Sequence, residues 1–204
     1  IDACTALVEL NCRSNDLRHL NIDQNIALKH LFCGRNKLVD LHLGANKQLI
    51  DIHCNENNIK HLDLRKAEKL SQLVCNKNHL LDLDVSTNSY LNYLSCYSNK
   101  IKKLNLSNNI KLEYLNLEHN HLYELDIRSL NQLKNIYLSD NHLHELLLGK
   151  HHQLQLLTCT DNKLTVLTIL DCPSLKHLSC NDNHLHTLNT SGATKLKTIN
   201  CCTF

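Results

Sequence analysis

Leucine recurs at an unbroken interval of 21 residues: Leu7, Leu28, Leu49, Leu70, Leu91, Leu112, Leu133, Leu154, Leu175 and Leu196. A fixed period of this length means that each repeat is one turn of a coil stacked on the next, so the chain is expected to be a solenoid. Taking each of these leucines as position 1, apolar residues also fill positions 4, 6, 11, 14 and 16. Over nine consecutive repeats the rule is broken only by Thr190. Position 9 is asparagine in all nine (Asn15, Asn36, Asn57, Asn78, Asn99, Asn120, Asn141, Asn162 and Asn183). Position 19 is asparagine in four, Asn25, Asn46, Asn88 and Asn109.

Positions 4 and 6, and again 14 and 16, are two residues apart, which puts both side chains of a pair on one face of an extended segment. Each turn therefore reads as two short strands, one per half, joined by asparagine-marked bends. Asparagine suits a bend because its amide bonds nearby backbone and it tolerates left-handed backbone. Stacked in register, the position-9 amides are also placed to bond one another along the coil. Six buried side chains do not offset the entropy of ordering a whole turn, so stability belongs to the stack. With rungs about 4.8 Å apart, ten of them span roughly 45 Å of parallel sheet.

The pattern resembles the leucine-rich repeat family, whose signature half reads LxxLxLxxNxL or LxxLxCxxNxL; residues 91–101, Leu-Asn-Tyr-Leu-Ser-Cys-Tyr-Ser-Asn-Lys-Ile, are one instance. Both halves carry LxxLxLxxN, as in Leu112–Asn120 and Leu122–Leu130 (where Leu130 departs from Asn), which is similar to the nested 21-residue bacterial subclass called IRREKO. The resemblance implies a β-solenoid: a right-handed stack of about ten 21-residue turns, mostly short parallel strands with little or no helix. It implies a bacterial protein that binds another macromolecule through its strand face; such repeats are common among secreted virulence effectors and cell-surface proteins. Ile1 fits position 16 and Cys4 position 19 of a preceding turn, and Phe204 stands where a tenth asparagine would fall. Residues 1–204 are thus expected to form a single leucine-rich repeat domain without clear caps. Either it is excerpted from a longer chain, the favoured expectation, or its ends allow end-to-end self-association.

Eleven cysteines suggest at first a disulfide or metal scaffold, but eight of them (Cys12, Cys33, Cys54, Cys75, Cys96, Cys159, Cys180 and Cys201) occupy position 6. At that inward position cysteine behaves as a small hydrophobe, and one rung of separation exceeds the Cβ spacing of a disulfide. A reducing compartment is expected: the bacterial cytoplasm or, for an effector, the host cytosol. No apolar run is long enough for a membrane helix, and a net charge of +2 gives no general attraction to nucleic acid or membrane. Fifteen histidines include His119-x-His121, His142-x-His144 and His184-x-His186. No trio has zinc-ligand geometry, so neither metal nor cofactor is expected. His121 and His142 should be rung neighbours. On the opposite face Lys60, His61, Arg65, Lys66, Lys102, Lys103 and Arg128 form a basic area, diluted by Asp63, Asp82, Asp84, Glu124 and Asp126.

The outward positions of the first strand gather Tyr93 and Tyr114 at position 3, Tyr137 at position 5 and Tyr97 at position 7, bordered by Glu113, Glu118 and Asp140. An aromatic patch with a charged rim is the usual composition of an interface hot spot. Position 8 adds Asp140, Asp161 and Asp182 on successive rungs, for which His142, Lys163 and His184 at position 10 are the expected counter-charges. Catalytic motifs are missing: there is no GxSxG, HExxH or glycine-rich phosphate loop. The expectation is a protein–protein interaction module, the repeat region of a bacterial secreted effector binding a host protein, and no enzyme. The alternatives are a structural or adhesion repeat region of a bacterial surface protein, or the targeting domain of an enzyme whose catalytic part lies elsewhere.

Overall fold

The computed structural model describes residue 1 and residues 3–202; Phe204, the expected tenth occupant of the asparagine position, lies outside them. Fourteen strands of three residues follow in chain order. They are β1 (Glu9–Asn11), β2 (His30–Phe32), β3 (Asp51–His53), β4 (Gln72–Val74), β5 (Tyr93–Ser95), β6 (Tyr114–Asn116) and β7 (Glu124–Asp126). There follow β8 (Asn135–Tyr137), β9 (Glu145–Leu147), β10 (Leu156–Thr158), β11 (Val166–Thr168), β12 (His177–Ser179), β13 (Thr187–Asn189) and β14 (Thr198–Asn200). No described residue is helical, so no helix is long and apolar enough to cross a membrane.

The strands at positions 3–5 form one ten-stranded parallel sheet, β1-β2-β3-β4-β5-β6-β8-β10-β12-β14. Each residue pairs with the one 21 places on, as in Leu94↔Leu115 and Leu115↔Ile136. That register keeps position 4 inward on every rung, and Leu31, Ile52, Leu73, Leu94, Leu115, Ile136, Leu157 and Leu178 are fully buried in one column. The expected second strand forms in turns six to nine only, as two separate pairs, β7-β9 and β11-β13. Each pair includes a turn whose position 15 is Leu147 or Thr168. In turns one to five that position is Asn, His or Asp, and there Asn21, Asp63, Asp84 and Asn105 bend the chain by accepting the N–H two residues ahead.

The position-9 asparagines act on the main chain and do not bond one another as the stacking suggested. Asn99 is typical: its Nδ2 donates to the carbonyls of Cys96 in its own turn at 3.0 Å and Cys75 in the turn before at 3.1 Å. Its Oδ1 accepts the Leu80 N–H at 3.0 Å. One amide thus satisfies three backbone groups that would otherwise be buried and unpaired. Left-handed backbone also falls one residue earlier than expected. Ser14, Arg35, Glu56, Lys77, Ser98, His119, Asp140, Asp161 and Asp182, all at position 8, have φ between 52° and 59°. The asparagine is spared that conformation because its amide must point inward to reach the two carbonyls.

At position 19 the asparagines also donate, Asn109 to the carbonyls of Val85 and Asn88. Here, however, the Oδ1 atoms of Asn25, Asn46, Asn88 and Asn109 are buried and accept nothing. His151 occupies the same row in turn seven, fully buried. Its Nδ1 donates to the Leu130 carbonyl at 3.1 Å while its Nε2 accepts the Gly149 N–H at 3.2 Å. Two bonds of opposite sense fix a neutral ring, and burial holds its pKa below the usual histidine value.

The cysteines are free thiols, and Cys33, Cys54, Cys75, Cys96, Cys159 and Cys180 are fully buried in the position-6 column. Cys12 is half-buried, and Cys4, Cys201 and Cys202 are exposed. Burial pushes the thiols of Cys33, Cys54, Cys159 and Cys180 up, the last to about 11, so these remain protonated packing groups.

Candidate interaction surface

Parallel pairing of β5 with β6 puts Tyr93 beside Tyr114. Their rings stack with centroids 4.3 Å apart and planes 3° from parallel. Tyr137, on β8, leans against Tyr114 at 5.5 Å with a 43° tilt. The three phenols are half-buried and run along the solenoid axis. Tyr93 and Tyr114 spend ring faces on each other, leaving ring edges and hydroxyls for a partner. Burial, and then the neighbouring phenol of Tyr114, push the Tyr93 hydroxyl up to about 12, so it remains a donor at any physiological pH. Tyr137 is raised in the same direction by burial, Tyr114 and the Glu118 carboxylate. Tyr97 lies alongside, half-buried, its N–H bonded to Asn76 Oδ1 at 3.1 Å, but it makes no ring contact with the stack among the described residues.

Glu113 pairs with Lys134 at 2.6 Å, so one of the rim carboxylates is already neutralised. Glu118 is held in place by its own N–H bonding to Asn116 Oδ1 at 3.1 Å. The aspartate row differs from expectation. The partner of Asp140 is His119, one rung back in the same row, whose Nδ1 bonds Asp140 Oδ2. His142, Lys163 and His184 form no ion pair with the row, and among the described residues neither Asp161 nor Asp182 is paired. Position-8 side chains leave a left-handed residue along the row itself, so a neighbour at position 8 is closer than one two residues further round the bend. Asp140, Asp161 and Asp182 line a shallow groove of about 440 Å³ with those position-10 residues.

His121 and His142 are rung neighbours as expected, stacked at 5.5 Å and 8°. Among the described residues no group of three His, Cys, Asp or Glu side chains is placed to hold a metal. The basic area on the second-half face is partly paired in place. Arg65 and Arg128 each grip an aspartate two residues back, Asp63 and Asp126, at 2.7 Å, and Lys103 faces Glu124 at 3.8 Å.

A second aromatic cluster on the first-strand face, in turns one to three, was not foreseen. The Arg13 guanidinium lies 4.7 Å over the Phe32 ring and donates to His53 Nδ1 at 2.5 Å. Phe32 meets His53 edge-on at 5.1 Å, and His30 bonds Asp51 at 2.5 Å. Reading positions 5 and 7 of neighbouring turns together, as for the tyrosines, would have joined Arg13 to Phe32.

No protein-family model matches the chain, and neither does any curated protein sequence. Solved structures do. YopM, a leucine-rich effector protein from Yersinia pestis, shares 27% identity over 91% of this chain and 57% of its own, with a TM-score of 0.76. A leucine-rich repeat protein of Leptospira interrogans shares 22% over 92% and 58%, with a TM-score of 0.70. The functional domain of InlJ from Listeria monocytogenes, which includes a cysteine ladder, shares 24% over 98% and 59%, with a TM-score of 0.57. The chain spans less than two thirds of the length of each of these three. With an unbroken 21-residue register, a ten-stranded parallel sheet and these neighbours, the chain has the leucine-rich repeat fold, wound on a 21-residue turn.

Proposed function

We propose that the first-strand face binds a protein partner, centred on Tyr93, Tyr97, Tyr114 and Tyr137, and that the chain acts by binding and not by catalysis. Glu113, Glu118, Asp140, Asp161 and Asp182 form the charged rim. The observation that carries this reading is the stacked Tyr93–Tyr114 pair. Its rings are held rigid before any partner arrives, so little side-chain entropy is lost on binding, and the hydroxyls and positive ring edges suit a partner rich in carbonyl or carboxylate acceptors. Unpaired Asp161 and Asp182 supply a second, cation-seeking contact at the other end of the face.

The partner we infer is a host protein met by a bacterial secreted effector, a reading supported by the likeness to YopM. The column of free buried thiols suits a reducing compartment. The test is affinity capture from eukaryotic host lysate by the folded chain and by Tyr93→Ala plus Tyr114→Ala, each captured set identified by mass spectrometry. The reading requires a protein held by the parent and lost by the double variant. Equal capture by both would remove the tyrosine face as the binding surface.

A further inference from the structure

The Arg13–Phe32–His53 cluster borders a notch of about 250 Å³ in the first three turns, lined by Arg13, Ser14, Gly34, Arg35 and Asn55. Two arginines enter it, and Glu56, outside the lining, reaches its edge only through Arg35 and Asn55. Two of the chain's other arginines show the contrast. Arg65 and Arg128 are clamped by aspartates on their own segments, whereas among the described residues Arg13 has no carboxylate within ion-pair distance. It is instead held from behind, by the Phe32 face and by the neutral acceptor nitrogen of His53. Burial and the Arg13 charge itself keep the His53 pKa below its usual value, so that nitrogen stays an acceptor. Neither contact neutralises the guanidinium, and both fix it in place, as a planar fork awaiting an oxyanion requires.

Gly34 makes the notch. Its φ is unexceptional, so conformation does not demand glycine there. A Cβ at this position would lie 2.7 Å from Asn55 Oδ1 and 3.1 Å from the Asn55 carbonyl oxygen, filling the space between Arg13 and Asn55. Across the notch, Glu56 Oε1 already accepts Arg35 Nε–H at 3.3 Å and Asn55 Nδ2–H at 3.3 Å. A carboxylate is thus held by the chain's own donors at one edge, through two long bonds to one oxygen, while the Arg13 side remains unmatched.

We propose that this notch binds the carboxylate of an acidic segment of the partner, Arg13 forming the bidentate contact and Arg35 and Asn55 completing the site as Glu56 swings aside. The proposal rests on the first-strand face being the binding surface and gives the partner a second feature. Turns two and five are three rungs apart, roughly 14 Å, or about four residues of extended chain. An acidic residue about four positions from the segment that meets Tyr93 would engage both places.

The test is a titration of the full chain followed by amide NMR at pH 7.5, with ionic strength held constant by sodium chloride. One arm adds a tetraglutamate peptide and the other inorganic phosphate. Saturable shifts at the Ser14, Gly34, Arg35 and Asn55 amides are expected with the peptide. Arg13→Gln should weaken that binding about tenfold or more, since hydrogen bonds to charged groups are the strong ones. Glu56→Gln, at a half-buried side chain bonded only through the two long contacts to Arg35 and Asn55, should tighten it by weakening the internal competitor. Linear or absent shifts, an undiminished response in Arg13→Gln, or weaker binding by Glu56→Gln would each overturn the proposal. A response to phosphate alone would overturn the assignment to a peptide carboxylate. The Tyr93→Ala plus Tyr114→Ala variant should titrate like the parent, so failure of the tyrosine surface and failure of this notch are read separately.

Discussion

The two halves of each turn carry nearly the same sequence pattern and build very different structures. The first halves form one continuous ladder of ten strands, and the second halves pair only as β7-β9 and β11-β13. The asparagine rows differ in the same sense. At position 9 both ends of the amide are used in consecutive turns, with Oδ1 accepting a main-chain N–H from the turn before. At position 19 the oxygen is buried and idle. An asparagine whose every group is satisfied ties two turns together and leaves little room for substitution. A half-satisfied one offers less, and the row accordingly holds Ala67, Leu130, His151, Cys172 and Ala193 as well. A repeat motif therefore specifies a brace only where the geometry engages both ends of the amide.

Truncation of core leucines should show the largest contrast. Leu115→Ala, on the fully buried side of β6, should cost about 3–4 kcal/mol, whereas Leu104→Ala, half-buried in the unpaired second half of turn five, should cost about 1–2 kcal/mol, both from denaturant unfolding. Equal losses would mean the two halves share the load. Next comes Asn99→Ala, which strands the Leu80 N–H and two carbonyls and should cost about 3 kcal/mol. Asn88→Ala also removes an idle buried oxygen and should cost about 1 kcal/mol.

His151 sharpens the comparison through pH. Its folded pKa is depressed by burial, so the unfolded chain binds more protons below the unfolded value of about 6.5. Its contribution to stability is then complete above that pH and declines as pH falls toward the folded pKa. His151→Asn should flatten this part of the stability–pH curve; an unchanged slope would show that other histidines set it. The smallest expected effect is a gain. Lys77 is a left-handed lysine with φ 52°, and Lys77→Asn should stabilise by about 0.5 kcal/mol because asparagine enters that region more readily. A loss would place the lysine in some contact of its own.

The fold was legible because its main determinant is a register. A 21-residue period, once read, fixes the one-turn offset of every strand pair, the inward column at position 4 and the cysteine column at position 6. Stacking of Tyr93 on Tyr114, and of His121 on His142, followed from the same offset. What could not be read depends on local backbone path. The left-handed residue at position 8 is Ser, Arg, Glu, Lys, His or Asp, so no residue type announces it. The bonding of His119 to Asp140 follows from that conformation. The Arg13 cluster was missed because it joins positions 5 and 7 of neighbouring turns, a pairing legible only when the two positions are read together.

Amide hydrogen exchange tests most directly the claim that the first-strand ladder and its asparagine row form the rigid platform of the molecule. The amides of Leu80, Ile101 and Leu122, which donate to Asn99, Asn120 and Asn141, and those of β5 and β6 should exchange slowest, near the global unfolding limit. The amides of Leu62, Leu83 and Leu104, which lie outside any strand, should exchange much faster through local opening. Equal protection of the two sets would contradict the account, because it would show both halves opening as one unit.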